Sequence, residues 1–187
     1  MRIIAGIAKG RTLDAPRGGG TRPATDRIRE TLFAILEPIL GDARVLDLFA
    51  GAGTLGIEAL SRGAASVTFV ERSAEALTAL RKNIASTGFN DSAEVVAANV
   101  LAFLEQQVAG PYDVVFCDPP FADVALLEVT LAHPRFAGAL APGALVVARV
   151  MKKYQPRLPG EARIQRVKDI GEESLLFLRY DGGRGGG

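Results

Sequence analysis

The stretch Cys117-Asp118-Pro119-Pro120-Phe121 closes an apolar run over residues 112–118 that reads as a β-strand. Two prolines after an aspartate cannot continue a strand ladder, because neither carries an N–H. They force a rigid, extended turn and leave carbonyls unpaired where the strand ends. That arrangement suits an exocyclic amine on a planar base. Such an amine is a poor nucleophile, since its lone pair is delocalised into the ring. Its N–H groups can donate to Asp118 and to the Pro119 carbonyl, with Pro120 completing the turn. Those bonds aim the lone pair at an incoming methyl group and stabilise the charge that develops on nitrogen. Phe121 offers a face on which a base can stack. Alignment for in-line transfer supplies most of the acceleration. No strong general base is required, because the amine proton becomes acidic only as the methyl arrives. The alternative is a proline-rich turn without chemistry, and its place at a strand end counts against that.

A second stretch, Asp47 to Leu60, holds a G-x-G-x-x-G at Gly51, Gly53 and Gly56. Glycines there permit tight turning and close approach of a ligand. Glu71 follows twenty residues after Gly51, where an acidic side chain can accept both ribose hydroxyls of an adenosine. To this point a nicotinamide dinucleotide and S-adenosylmethionine are served equally. Asp47 separates them. A carboxylate four residues before the first glycine raises the cost of a pyrophosphate close by. S-adenosylmethionine has no phosphate, and its ammonium and sulfonium are both helped by a nearby negative charge. Asp47 could instead cap backbone amides. Taken together, Asp47, the glycines and Glu71 favour S-adenosylmethionine.

The elements that must position these residues alternate along the chain. Residues 25–37 predict an amphipathic helix capped by Thr25 or Asp26 and ended by Pro38 and Gly41. Apolar runs predict strands over 44–49, 66–71, 93–98, 112–118 and 144–150. Helices are expected over 54–61, 73–86, 100–107 and 123–132 between them. Strands this apolar, separated by helices, imply a doubly wound, mostly parallel sheet covered on both faces. Two last candidates, 162–168 and 174–180, lack a helix between them and predict an antiparallel hairpin. The result is an α/β fold with seven strands, the architecture of Rossmann-like methyltransferases. Residues 2–20 read as short β structure, a small hairpin extension, and the tail "GGRGGG" as disordered.

Composition narrows the chemistry further. The chain has 187 residues, enough for one domain with a hydrophobic core and a small appendage. It has one cysteine, Cys117, and one histidine, His133. An intramolecular disulfide and multi-Cys or multi-His metal sites are excluded, so no metal is expected. Cys117 reads as strand core and His133 as a loop residue. No apolar run approaches the roughly 18 residues of a membrane span, and no signal peptide is evident. A cytoplasmic location is the default expectation. Charge is unevenly spread. Residues 1–29 carry seven Lys/Arg against two Asp, whereas residues 41–148 carry six basic and twelve acidic residues. A basic arm beside an acidic body fits a polyanion that meets the arm, or a solvated surface without a partner.

The motifs also carry a family resemblance. The D-P-P-F tetrapeptide resembles that of amino-methyltransferases acting on adenine N6, cytosine N4 or guanine N2. "RIIAGIAKGRTLDAP", "TRPATDRIRETLF", "VLDLFAGAGTLGIEALSRGA" and "DVVFCDPPF", in this order, resemble the RsmD family over nearly the whole chain. That resemblance implies transfer of a methyl group to the N2 amine of one guanine in bacterial 16S ribosomal RNA. It puts the cofactor at Asp47, Phe49, Gly51, Gly53, Glu71 and Asn99, and the base at Asp118–Phe121. Ala24 replaces a threonine usual in the family, and Asn99 stands where an acidic residue is common. The Asn99 amide can still bond the adenine ring. The arm, residues 1–22, is expected to face RNA, with Arg2, Lys9, Arg11, Arg22, Arg27 and Arg29 as phosphate contacts. Arg27 and Arg29 could instead be surface helix charges. Residues 23–181 would form the methyltransferase domain and 182–187 the tail. The small ribosomal subunit, assembled or assembling, is the expected partner of a monomer. The rivals are a DNA or RNA adenine-N6 or cytosine-N4 methyltransferase and a nicotinamide-dependent oxidoreductase. A separate target-recognition domain for DNA would not fit in this length.

Overall fold

The computed structural model describes residues 1–16, 24–106, 110–120 and 123–180. Arg22, Phe121 and the tail at 182–187 lie outside the described residues.

Seven strands form where apolar and β-branched residues run together. They are β1 Arg44–Asp47, β2 Ser66–Glu71, β3 Ala93–Ala97, β4 Tyr112–Cys117, β5 Leu140–Met151, β6 Ala162–Ile170 and β7 Glu173–Tyr180. They build one sheet in the order β3-β2-β1-β4-β5-β7-β6. β1 is parallel to β2 and β4, and β5 continues the parallel set. β7 runs antiparallel to both β5 and β6, so the expected hairpin exists with its second strand inside and its first at the edge.

Helices α1 Asp26–Leu40, α2 Thr54–Ser61 and α3 Ala74–Thr87 join one core, and α4 Val100–Glu105 and α5 Val124–Leu131 join the other. β4 shows why both faces are apolar. Val114 and Phe116 enter the first core, while Val115 and Cys117 enter the second. β1 is flanked by strands reached through separate crossovers. A crevice therefore opens beyond the carboxyl ends of β1 and β4.

α1 outruns its expected end. Thr25 caps it by accepting from Ile28 N–H, but Pro38 lies inside the last turn and the helix closes at Leu40. Leu36 and Leu40 are buried in the first core, and that burial outweighs the donor Pro38 lacks.

Among the described residues, the N-terminal segment pairs through one isolated antiparallel bridge, between Arg2 and Thr12. Polar contacts to α2 hold it to the body. Glu58, fully buried, accepts from Ile4 N–H at 2.8 Å and Ala5 N–H at 3.0 Å. Ser61 Oγ accepts from Ala8 N–H at 3.0 Å and donates to the Ala5 carbonyl. Gly6 sits against this contact with φ +81°, where a Cβ would stand 1.7 Å from the Ser61 carbonyl oxygen. Only glycine fits.

One expected RNA contact is corrected here. Arg29 is fully buried, not exposed. Its Nη2 donates to Asp26 at 2.7 Å and to the Arg2 carbonyl at 2.9 Å, and its Nη1 lies 3.6 Å from Glu58. Arg62 also donates to Glu58, at 2.8 Å. Arg29 neutralises a buried carboxylate and cannot reach a phosphate. Glu58→Gln removes the buried one of the two carboxylates beside that guanidinium and leaves it only the half-exposed Asp26. It is expected to destabilise the protein by about 1–3 kcal/mol, measured as a lower urea midpoint.

Candidate active site

β1, β2 and β4 end side by side, and a carboxylate stands at each end: Asp47, Glu71 and, one residue past β4, Asp118. All three line one cavity of about 880 Å³, together with Phe49, Gly51, Asn99, Pro119, Pro120 and Arg149. Of the residues expected to meet cofactor and base, the structure brings these together. Gly53 does not line the cavity.

Each carboxylate is held by different donors. Asp47 is 1 % exposed, and its Oδ2 accepts from Gly56 N–H at 3.1 Å. Gly56 is the third residue of α2, whose N-cap Gly53 has no side chain to do this. Asp47 therefore caps backbone amides and also faces the cavity. Burial lifts its carboxyl to about 7. The Gly56 N–H works against that lift, and Asp118 and Glu71 add to it. Glu71 accepts from Gly51 N–H through Oε2, and from Arg72 and Ser73 N–H through Oε1, each at 2.8 Å. That uses three of roughly four lone-pair sites. About one acceptor site is left on the carboxylate.

The three glycines serve three different ends. Gly51, at φ +55°, has open space where its Cβ would be, so a side chain there would enter the cavity. Gly53, at φ +83°, faces Leu80, whose Cδ1 would lie 2.4 Å from an added Cβ. Gly56 packs on β2, 2.2 Å from Phe69 by the same measure. Only the first borders the cavity. Asn99 caps α4 by accepting from Ala102 N–H at 2.8 Å, which leaves its amide nitrogen as a donor at the cavity edge.

Asp118 is paired with a residue that sequence reasoning missed. Arg149 on β5 donates from Nε to Asp118 Oδ1 at 2.8 Å and from Nη1 to Glu173 Oε2 at 3.0 Å. Burial pushes the Asp118 carboxyl above the usual carboxylate range, Arg149 pulls it down, and Glu173 adds to the rise. A lone arginine in "ALVVARV" was the available signal, since a charge in an apolar strand needs a partner. Its partners lie 31 and 24 residues away, and nothing local names them. The arm was missed as a wall: Met1, Ala15 and Pro16 also line the cavity.

The remaining candidates lie elsewhere. Arg2, Lys9, Arg11 and Arg27 are exposed, and none lines the cavity. Arg11 donates to the Ser86 carbonyl at 2.7 Å. Cys117 is buried, and burial pushes its thiol up. His133 lies 3.2 Å from Glu105. Among the described residues, no cluster of His, Cys, Asp or Glu could hold a metal ion, and no helix is long and apolar enough to cross a membrane.

A parallel sheet closed by a reversed seventh strand, with a glycine cradle after β1 and Asp-Pro-Pro after β4, defines a Rossmann-like methyltransferase. The chain belongs to the RsmD family: the family described as Conserved hypothetical protein 95 matches residues 1–179. It is 42% identical over 182 residues to Ribosomal RNA small subunit methyltransferase D of Escherichia coli (strain K12), covering 97% of this chain and 90% of that protein. It is 46% identical over 173 residues to the protein of that name in Haemophilus influenzae, covering 91% and 89%. The solved structure of yhhF from Escherichia coli superimposes with a TM-score of 0.87 at 38% identity, over 98% of this chain and 99% of that one.

Two expectations follow from the loop. Gly51→Ala is expected to cost about 1–2 kcal/mol for its left-handed backbone but to weaken S-adenosylmethionine binding at least tenfold. Gly56→Ala is expected to lower thermal stability far more. Calorimetric titration and thermal unfolding check both. The second concerns pH. Asp47 is charged in the ligand-free protein only above about 7. As an acid raised from 3.8 to about 7, it lowers the stability of the ligand-free fold as pH rises through that window. The dissociation constant for S-adenosylmethionine is expected to rise as pH falls from about 8 to about 6. The rise in Tm on adding ligand should correspondingly be larger at the higher pH.

Proposed function

We propose that this chain transfers a methyl group from S-adenosylmethionine to the exocyclic N2 amine of one guanine in bacterial 16S ribosomal RNA. The observation that carries this is that Asp118-Pro119-Pro120 and the Gly51 cradle line the same cavity. An amine held by the first and a methyl donor held by the second would meet in one enclosure. Relatives named for small-subunit ribosomal RNA methylation, similar across nearly the whole chain, support the substrate class.

The donor set fits the cofactor. Three carboxylates favour a cation over a pyrophosphate, and Gly51 offers room that any side chain would fill. When bound, S-adenosylmethionine supplies a methyl group made electrophilic by its sulfonium. Asp47 would face its cationic end, Glu71 a ribose hydroxyl, Phe49 and the Asn99 amide the adenine. Gly53 would contribute by shaping the loop.

Asp118 would accept one amine N–H through the oxygen that Arg149 does not hold, and the Pro119 carbonyl the other. Both bonds strengthen as positive charge grows on nitrogen, which lowers the barrier. Pro120 keeps the turn rigid, and Phe121 is proposed as the stacking face. Extrusion of the guanine, or an already unpaired guanine, would be needed. Arg2, Lys9, Arg11, Arg22 and Arg27 are proposed as phosphate contacts on an RNA-facing arm, residues 1–22, ahead of a methyltransferase domain at 23–181. A monomer acting in the cytoplasm on the assembled or assembling small subunit completes the reading.

Asp118→Ala is expected to lower single-turnover methyl transfer to undermethylated small subunits by about 10²–10³-fold, with S-adenosylmethionine affinity unchanged. Full activity in that variant would remove the mechanism. A product nucleoside other than N2-methylguanosine would remove the substrate assignment.

A further inference from the structure

We infer that Arg149 is a positioning residue for this reaction, fixing Asp118 by one oxygen and presenting the other to the amine, with Glu173 holding the guanidinium in place. The inference rests on the reading of Asp118 as the amine acceptor.

Three observations carry it. Arg149 is 8 % exposed, on a strand whose neighbours Ala148 and Val150 are core residues. A guanidinium so placed is costly unless its donors are used. They reach outward along the sheet in both directions. Nε meets Asp118 just past β4, and Nη1 meets Glu173 at the start of β7. Lastly, Arg149 lines the cavity itself, next to the groups proposed to handle the base.

The geometry does more than neutralise charge. A guanidinium is a rigid plane, and with Glu173 holding its far side the Nε–H is aimed in one direction, so the Asp118 oxygen bonded to it is held in place. With Oδ1 pinned, Oδ2 is the oxygen left for substrate. An aspartate free to turn would sample many orientations, and only a fraction would align the amine. Glu173 supports the fork from its far side and shares its positive charge. Arg149 favours the ionised form of Asp118, and Glu173 tempers that pull.

Every charged neighbour enters this balance. Arg149 on β5 favours the ionised form of Asp118, and Glu173 on β7 opposes it. Asp47 on β1 interacts repulsively with Asp118, and Cys117 precedes it on β4. Glu71 and Asp123 line the same cavity. Removing the guanidinium should therefore raise the pH at which Asp118 protonates, and removing the Glu173 charge should lower it. An Asp118 that must be ionised gives a rate that fails as pH falls.

The test is the pH dependence of single-turnover methyl transfer to undermethylated small subunits. Wild type, Arg149→Met, Arg149→Lys and Glu173→Gln would be compared. In Arg149→Met the acid limb is expected to move up by about one to three pH units, and the neutral-pH rate to fall at least tenfold. KM for the subunit and calorimetric affinity for S-adenosylmethionine should hold. Arg149→Lys should return the limb most of the way but leave the rate low, because an ammonium lacks the fork. Glu173→Gln should move the limb down. If Arg149→Met does not fold, as judged by circular dichroism, the lysine and glutamine variants still decide by the direction of their limbs. Limbs that stay at the wild-type pH, or that all move the same way, overturn the inference and make Arg149 a purely structural residue. Failure of wild type to form N2-methylguanosine would instead remove the underlying functional reading, which keeps the two failures distinct.

Discussion

Carboxylates at neighbouring strand ends repel one another, and burial makes that repulsion expensive. The cavity depends on how Asp47, Glu71 and Asp118 are each compensated. Asp47 takes a buried amide in the first turn of a helix, Glu71 takes three loop amides, and Asp118 takes a guanidinium. The donors that settle the charge are the same ones that shape the loops. The first turn of α2 is closed by Asp47 because Gly53 has no side chain to close it. The loop after β2 is drawn together by Glu71. Compensating the charges and building the cavity walls are one physical event, and a cationic ligand adds to a balance already struck.

α2 is held at its start and at its middle by acids on its neighbours or itself. Asp47 grips its start, and Glu58 inside it grips the arm through Ile4 and Ala5. Arg29 and Arg62 make the second grip tolerable in a dry place. Because the arm also lines the cavity through Met1, Ala15 and Pro16, the ionic cluster around Glu58 bears on the shape of the cavity. The basic residues on the outside of the arm and the cavity wall on its inside are covalently one segment.

The alternation of apolar runs made most of the fold legible, since buried parallel strands announce themselves as continuous hydrophobic stretches. α1 was underestimated because proline penalties are local, whereas the burial of Leu40 that offsets one is tertiary. The glycine motif and Asp-Pro-Pro were readable because their chemistry lies in residue type and place along a strand. Charge was the poorest guide. Arg29 and Arg27 are two residues apart on one helix, yet one is fully buried and the other exposed. Their identity is the same; Arg29 falls on the face of α1 that buries Leu32, Phe33 and Leu36, and its buried partner Glu58 comes from α2. Arg149 and Glu58 were overlooked for the same reason: long-range ionic partners leave no trace in local spacing.

The order β5-β7-β6 has a consequence for how the protein is made. β7 follows β6 in the chain but lies inside it in the sheet, bonded along β5 from Val146 to Met151. During vectorial synthesis the long apolar edge of β5 therefore stays open until residues 173–180 emerge, and β6 has no partner to dock on before then. An open hydrophobic strand edge is a template for intermolecular pairing. The same late strand delivers Glu173 to Arg149. Docking of β7 thus covers the edge of β5 and completes the ion pairs of Arg149 together, and no nascent fragment lacking β7 holds Glu173.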